Sequence, residues 1–359
     1  MFNLGAFLAL LMLILVWISN IFVPPPPNIC GSSGGPPITG PRITLRDGRH
    51  LSYLQLGVPK EEAIFKIVFI HGHSTSKKDS YLATSSVVQQ GKIYIVSFDR
   101  PGYGESDPDP DRTIKSSTLD MEELADQLEL GEKFYVIGYS MGGTLAWGCI
   151  KYIPHRLAGI TLISPGISFW WPGLPQDLVE QKYYEQKEWT QWNFRIAHYF
   201  PYFMYWWNTQ DTQALLTQTS HSTKLESKKL DILHDTNSDD QDLEEYSRQQ
   251  GLYWSTLMDI IVGFGDSWEF EPMELENPFP NGEGIVNLWQ GDKDMAISVE
   301  LQRHVVSKLP WINYHEIPDG GHTFSYEANM KDEILKALVG GAARISSSNN
   351  GTNVPIFTD

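Results

Sequence analysis

The sequence predicts an α/β protein: a mostly parallel sheet with helices on both faces, interrupted by one long insertion. Two observations carry this. Short runs rich in Ile, Val, Phe and Tyr alternate with helical patterns from residue 42 to about 165, and the alternation resumes at residue 285. Such alternation implies parallel strands covered on both sides. Between these stretches, residues 166–284 have another composition, with 8 of the 12 Trp and 20 Asp or Glu against 7 Lys or Arg. The 359 residues would allow two domains at roughly 150 residues each. The interleaving makes the second an insertion within the first.

The chain begins with Leu4–Val23, twenty residues without a charge. At 1.5 Å per residue that is about 30 Å, a bilayer core. No Lys or Arg precedes it and no small-x-small cleavage site follows, so residues 1–23 read as an uncleaved signal anchor. The expected location is a membrane, with a single N-terminal pass of open orientation. Residues 24–41 alternate Pro-rich and Gly/Ser-rich pieces, which reads as a linker.

Leu51–Leu56, Ile67–Ile70, Ile93–Phe98, Phe134–Tyr139 and Ile160–Ile163 read as strands. Leu119, Leu124 and Leu128 sit among carboxylates at helical spacing. Met141–Tyr152 is apolar enough to be a buried helix. After the insertion, Ile285–Trp289 is a strand, Val299–Lys308 a helix, Asn313–Ile317 a strand and Phe324–Leu338 a helix. The core is thus 42–165 with 285–342. Residues 343–359 form a tail that looks disordered from Ser346. The tail holds Asn350-Gly351-Thr352, a glycosylation pattern that matters only in a lumenal setting. An acidic stretch from Thr217 to Glu245 reads as a surface loop.

The net charge of −17 argues against nucleic acid, which needs a basic footprint. The insertion supplies −13 of it. Two cysteines rule out a disulfide-built scaffold, and Cys30 and Cys149 read as free thiols.

Gly138-Tyr139-Ser140-Met141-Gly142 fits G-x-S-x-G, with an apolar strand running in and a helix running out. Such a turn exposes a serine hydroxyl at the sheet's edge. Gly138 and Gly142 are needed because side chains would collide across it. The helix N-terminus favours a developing negative charge. Serine is a weak nucleophile and needs a base oriented by a carboxylate. His322, in a Gly-rich loop after the last strand, is the candidate base. Gln290-Gly291-Asp292-Lys293-Asp294 follows the Ile285–Trp289 strand; Asp294 is the first choice for the acid and Asp292 the fallback. His71-Gly72-His73-Ser74 follows another strand. The amides of His73 and Met141 could bind the oxyanion of a tetrahedral intermediate. His71 and His73 lack a third ligand at matching spacing, so no metal and no other cofactor is expected. Asp99–Ser106 contains G-x-G without the third glycine of a dinucleotide site, and reads as a structural turn with Asp99 and Arg100 paired or capping.

Strand-HG, DRPGYGES, GYSMGG, GDKD and GGH, in that order, resemble the α/β-hydrolase fold family. The entry DGRHLSYLQLGVP and the segments PGISFWWPGLP and YWWNTQ are similar to plant membrane-anchored members. The resemblance covers about 42–340. It implies eight strands, a Ser-Asp-His triad at Ser140, Asp294 and His322, and a cap domain over 166–284, after the sixth strand. Epoxide hydrolases and haloalkane dehalogenases of this fold carry Asp at the elbow, so Ser140 disfavours those chemistries. Many members follow HG with an aromatic and a proline or glycine; here it is His73-Ser74.

Tryptophan pairs at 170–171 and 206–207 stand among Phe169, Tyr199, Phe200, Tyr202, Phe203 and Tyr205. They could wall an apolar substrate site, rest on a bilayer, or form the insertion's own small core. The leading function is a serine hydrolase (esterase) acting on an apolar small-molecule ester, of a lipid or specialised metabolite, through an acyl-enzyme. The alternatives are a non-catalytic small-molecule-binding protein of the same fold and an acyltransferase using the same triad.

Overall fold

The computed structural model describes residues 21–209, 238–266 and 268–350. Eight strands form one sheet in the order β1-β2-β4-β3-β5-β6-β7-β8. They are β1 (Arg42–Thr44), β2 (His50–Gly57), β3 (Phe65–Ile70), β4 (Ile93–Phe98), β5 (Phe134–Tyr139), β6 (Leu157–Ile163), β7 (Val286–Gly291) and β8 (Asn313–Ile317). β1 with β2 and β2 with β4 run antiparallel, and every later pair is parallel. The central strands are apolar at nearly every position because both faces are covered. Side chains alternate between the faces. Val68, Val96 and Val136 join the core around Trp147, while Ile67, Phe69, Ile95 and Ile137 join the core around Tyr81 and Leu335. The short β1 lies outside the strands read from sequence, since three residues with one buried Ile make no apolar run.

The helices of the core are α1 (Val87–Gln90), α2 (Ile114–Gln127) and α3 (Met141–Tyr152) before the insertion. Thr113 starts α2 through a reciprocal cap with Ser116, and Met121, Leu124 and Ala125 form its buried face. α3 is apolar all round because it lies between the sheet and α2. A Cβ on Gly148 of α3 would come 2.5 Å from Ile114 and Thr118 of α2, so only glycine permits this approach.

Between β6 and β7 the insertion holds α4 (Gln176–Tyr184), α5 (Glu188–Tyr199), α6 (Met204–Thr209), α7 (Ser238–Arg248) and α8 (Met258–Phe264). Many of its aromatics pack on one another: Trp189 stacks on Trp207 at 5.0 Å and Phe194 on Phe264 at 4.0 Å. Tyr199, Phe200 and Tyr202 stay exposed. Most of the acidic stretch 217–245 lies outside the described residues. After β7 come α9 (Val299–Lys308), capped by the Ser298 hydroxyl, and α10 (Ala328–Asn350). Phe324–Tyr326 is a separate 3-10 turn. α10 continues past Ser346, where the sequence reads as a disordered tail; a helix already nucleated propagates through weak formers at small cost. Residues 351–359 lie outside the described residues.

The single-pass membrane anchor expected at residues 4–23 requires correction. No helix among the described residues is long and apolar enough to cross a membrane. Residues 4–20 lie outside the described residues. The described end, Ile21–Val23, is helical at Ile21 and Phe22, and the four prolines from Pro24 halt the helix there. There Phe22 packs edge-on against Phe203 and Trp206 of the insertion, at 4.6 and 5.7 Å. Hydropathy, length and the lack of a basic start and a cleavage site are the basis of the anchor reading, and none of them reports a packing partner.

Residues 24–41 lie against both the core and the insertion. Cys30 is buried, the Asn28 amide donates to the Gln250 carbonyl, and Trp254 Nε1 donates to the Pro25 carbonyl. Thr39 and Gly40 amides donate to the buried Glu105 carboxylate. Cys30 and Cys149 are both buried free thiols.

Candidate active site

The site gathers at the C-terminal ends of the parallel strands. β5 ends in Ser140, β3 in the His71–Ser74 loop, β7 in the loop of Asp294 and β8 in the loop of His322. Open parallel sheets present loops for binding at this edge.

Ser140 has φ +53 and ψ −116, a conformation side-chain-bearing residues rarely adopt. The turn is held by close contacts that exclude Cβ atoms. A Cβ on Gly138 would lie 2.4 Å from the Gly142 carbonyl oxygen, and one on Gly142 would lie 2.1 Å from that of Ile70. The Ser140 amide donates to the Ile163 carbonyl at 2.8 Å, tying the turn to β6.

Ser140, His322 and Asp294 form one hydrogen-bonded chain. His322 Nε2 lies 3.0 Å from Ser140 Oγ, and His322 Nδ1 lies 2.8 Å from Asp294 Oδ2. All three residues are buried. The Tyr139 ring sits 5.4 Å from the His322 ring, and its hydroxyl donates to the His322 carbonyl. Asp294 Oδ1 accepts from the amides of Ala296 and Ile297, each at 2.9 Å, and Oδ2 also accepts from Gln290 Nε2 at 2.9 Å. Burial pushes the Asp294 carboxyl up, but the His322 ring and these amides outweigh it and hold the carboxyl below its usual range. Asp292 stands outside this chain. Its carboxylate is 3.9 Å from Lys293 Nζ, and its amide donates to the Ile317 carbonyl.

Met141 is the first residue of α3, so its N–H has no acceptor within the helix. His73 follows β3 on the adjoining loop. The His73 ring is turned to Asp259 Oδ2 at 3.4 Å, and His71 is spent on backbone groups: Nδ1 bonds the Gly72 carbonyl and Nε2 accepts from the Arg100 amide. Among the described residues, no group of three or more His, Cys, Asp or Glu could hold a metal ion.

The chain's family membership follows from a match of the Alpha/beta hydrolase family model over residues 67–337. This chain belongs to the alpha/beta hydrolase family. Among curated relatives, it is 32% identical over 130 residues to a Bacillus subtilis protein provisionally named 2-succinyl-6-hydroxy-2,4-cyclohexadiene-1-carboxylate synthase, covering 35% of this chain and 45% of that one. It is 35% identical over 104 residues to the Danio rerio sn-1-specific diacylglycerol lipase ABHD11, covering 28% of this chain and 32% of that one. The chain thus spans less than half the length of either relative. A solved thermophilic esterase from Thermogutta terrifontis shares the fold, with a TM-score of 0.54 at 17% identity, over 85% of this chain and 100% of that one.

In this alpha/beta hydrolase, the sequence motifs miss a buried cluster behind the His71–Ser74 loop. Asp259, on α8 of the insertion, accepts from both Nη atoms of Arg100, from Arg112 Nη2 at 3.1 Å and from the Tyr103 hydroxyl at 2.7 Å. Burial alone would raise the Asp259 carboxyl, yet Arg100, His73 and Arg112 hold it well below the usual range. Arg100 therefore pairs with Asp259. Asp99 caps the amides of Lys77 and Glu105 instead. Asp259 and Arg112 are 147 positions apart, so no local pattern could have joined them.

Proposed function

We propose that this chain is a serine hydrolase of carboxylic esters that works through a covalent acyl-enzyme. The single observation carrying the reading is His322, with Nε2 at 3.0 Å from Ser140 Oγ and Nδ1 at 2.8 Å from the Asp294 carboxylate. Asp294 holds the Nδ1–H tautomer, so Nε2 is free to accept a proton. Ser140 Oγ attacks the ester carbonyl as His322 takes its proton. The carbonyl oxygen becomes an oxyanion facing the amides of His73 and Met141. The intermediate collapses, His322 returns the proton to the departing alcohol, and the acyl group stays on Ser140. Water then attacks by the same route, releasing the acid and restoring the serine.

The substrate we infer is a small apolar ester, of a lipid or a specialised metabolite. Met141, next to Ser140, packs in an apolar cluster with Ala197, Phe264, Trp170 and Phe194 of the insertion. That cluster supports a cap formed by residues 166–284, with core residues 42–165 and 285–342 beneath it. Asp259, buried in the insertion, is neutralised by two arginines. The names of the relatives, a lipase and an esterase among them, agree with ester chemistry.

The test is labelling of the full chain with a fluorophosphonate probe, beside Ser140→Ala and His322→Ala, with turnover of p-nitrophenyl esters. The expected result is one probe per chain, abolished by Ser140→Ala, and measurable turnover in the wild type alone. Labelling that survives Ser140→Ala would overturn the reading, as would absence of both labelling and turnover.

A further inference from the structure

We infer that Arg100 is a positioning residue for the oxyanion-binding amide of His73, and that Asp259 of the insertion holds Arg100 in that role. The inference rests on the proposed hydrolase reading and deepens it.

The His73 N–H and the Gly72 carbonyl belong to one peptide unit. That unit is planar and trans, so its C=O and N–H point in opposite directions. Fixing the carbonyl therefore fixes the amide. Three donors converge on the Gly72 oxygen: Arg100 Nη2 at 2.8 Å, His71 Nδ1 at 2.8 Å and Thr75 Oγ1 at 3.3 Å. The His71 tautomer follows from its backbone bonds, since Nδ1, which also lies 3.2 Å from Thr75 Oγ1, must donate to a carbonyl while Nε2 accepts the Arg100 amide. Burial and the Arg100 charge hold the His71 pKa well below its usual value, in keeping with a neutral ring.

Arg100 is itself held on two sides. Both Nη atoms donate to Asp259, and its guanidinium lies 4.8 Å from the centre of the Tyr103 ring. One fork thus spans the insertion and the oxyanion loop at once. Lysine keeps the charge but has a single nitrogen and no planar fork, so it cannot reproduce the paired bonds to Asp259 together with the bond to Gly72. An amide displaced from its line to the oxyanion weakens the transition state and leaves ground-state binding alone. Arg100 touches no substrate; it acts through the peptide.

The test uses the full chain with p-nitrophenyl butyrate and a trifluoromethyl ketone, whose hemiketal mimics the oxyanion. Rates are expressed per site titrated to completion with fluorophosphonate, which removes misfolded protein from the count. For Arg100→Lys the expected result is a fall in kcat of about 10- to 100-fold, below the loss of a whole oxyanion donor. KM should stay within about twofold, and the ketone's affinity should fall by the same factor as kcat. Thr75→Val removes one of the three donors without touching the ion cluster, and should lower kcat several-fold in the same pattern. It decides the matter if Arg100→Lys does not fold. Wild-type kcat per titrated site in the folded variants would overturn the inference, as would a loss carried by KM. Absence of labelling and turnover in the wild type would instead overturn the hydrolase reading on which it rests.

Discussion

Replacing Asp294 by Asn tests the acid of the site with little change in shape. The carboxylate makes four contacts: Oδ1 takes the amides of Ala296 and Ile297, and Oδ2 takes His322 Nδ1 and Gln290 Nε2. Asparagine offers one acceptor oxygen and one NH2. Turning the NH2 toward the two loop amides would lose two bonds and set donor against donor. The oxygen therefore stays with the amides and the NH2 faces His322. Gln290 Oε1, which has no partner among the described residues, can turn to accept the second amide hydrogen. His322 Nδ1 must now accept, so its proton moves to Nε2, 3.0 Å from Ser140 Oγ. A protonated Nε2 cannot take the serine's proton. The expected loss is about 10⁴ in kcat, or about 5 kcal/mol of barrier, as for a triad whose histidine is held in the wrong tautomer. KM should change little, since no substrate contact is altered, and the melting temperature should shift only slightly. Asp292→Asn, outside the hydrogen-bonded chain, should keep kcat within about threefold. Steady-state kinetics on p-nitrophenyl butyrate read both. Retention of more than a tenth of the activity by Asp294→Asn would refute the argument, and so would an equal loss in Asp292→Asn.

Gly142→Ala places a Cβ 2.1 Å from the Ile70 carbonyl oxygen, so α3 must shift against β3. The expected cost is at least about 2 kcal/mol by urea unfolding, and an unchanged midpoint would contradict the elbow geometry. Burial raises the Glu105 pKa, but the Thr39 hydroxyl, Lys77 and the Thr39 amide bring it down from 4.5 to about 2. A depressed pKa gives stability that is full above the ordinary value and is lost as pH falls from about 4.5 toward 2. The stability gap between wild type and Glu105→Gln should therefore be widest above pH 5 and narrow toward pH 2; a gap that widens in acid would reverse the sign. Phe264→Ala opens the apolar cluster beside Met141. The preference for octanoyl over acetyl p-nitrophenyl esters should rise about tenfold, and an unchanged ratio would remove that cluster from the acyl site.

The parts of the site that were legible in the sequence share a location. Ser140, Asp294 and His73 each stand within a few residues of the end of an apolar strand run, and His322 within a few residues of the end of the more polar β8, where the chain turns and glycines mark the turn. Strand runs such as FKIVFI and FYVIGY are legible because a strand covered on both faces must be apolar throughout. β1 was missed because three edge residues carry no such signature. The anchor was misread for a related reason: hydropathy records what a segment avoids, whereas Phe22 is placed by two aromatic rings some 180 positions later in the chain.

The groups that hold the site obey a different rule. Arg100 was visible within DRPGYGES, but its partner Asp259 was one of 20 acids in an insertion whose charge reads as solvated. Burial separates it from the rest, since a carboxylate with almost no exposure needs compensating donors, and Asp259 finds two guanidiniums, a phenol and an imidazole. The candidate catalytic residues thus follow from local sequence because strand ends fix where they sit. The support that Asp259 provides is fixed by contacts that span 147 to 186 positions. The insertion's acidity therefore has at least two components. One carboxylate bonds through Arg100 to the loop that carries the His73 amide, and the aggregate charge of −13 concealed it.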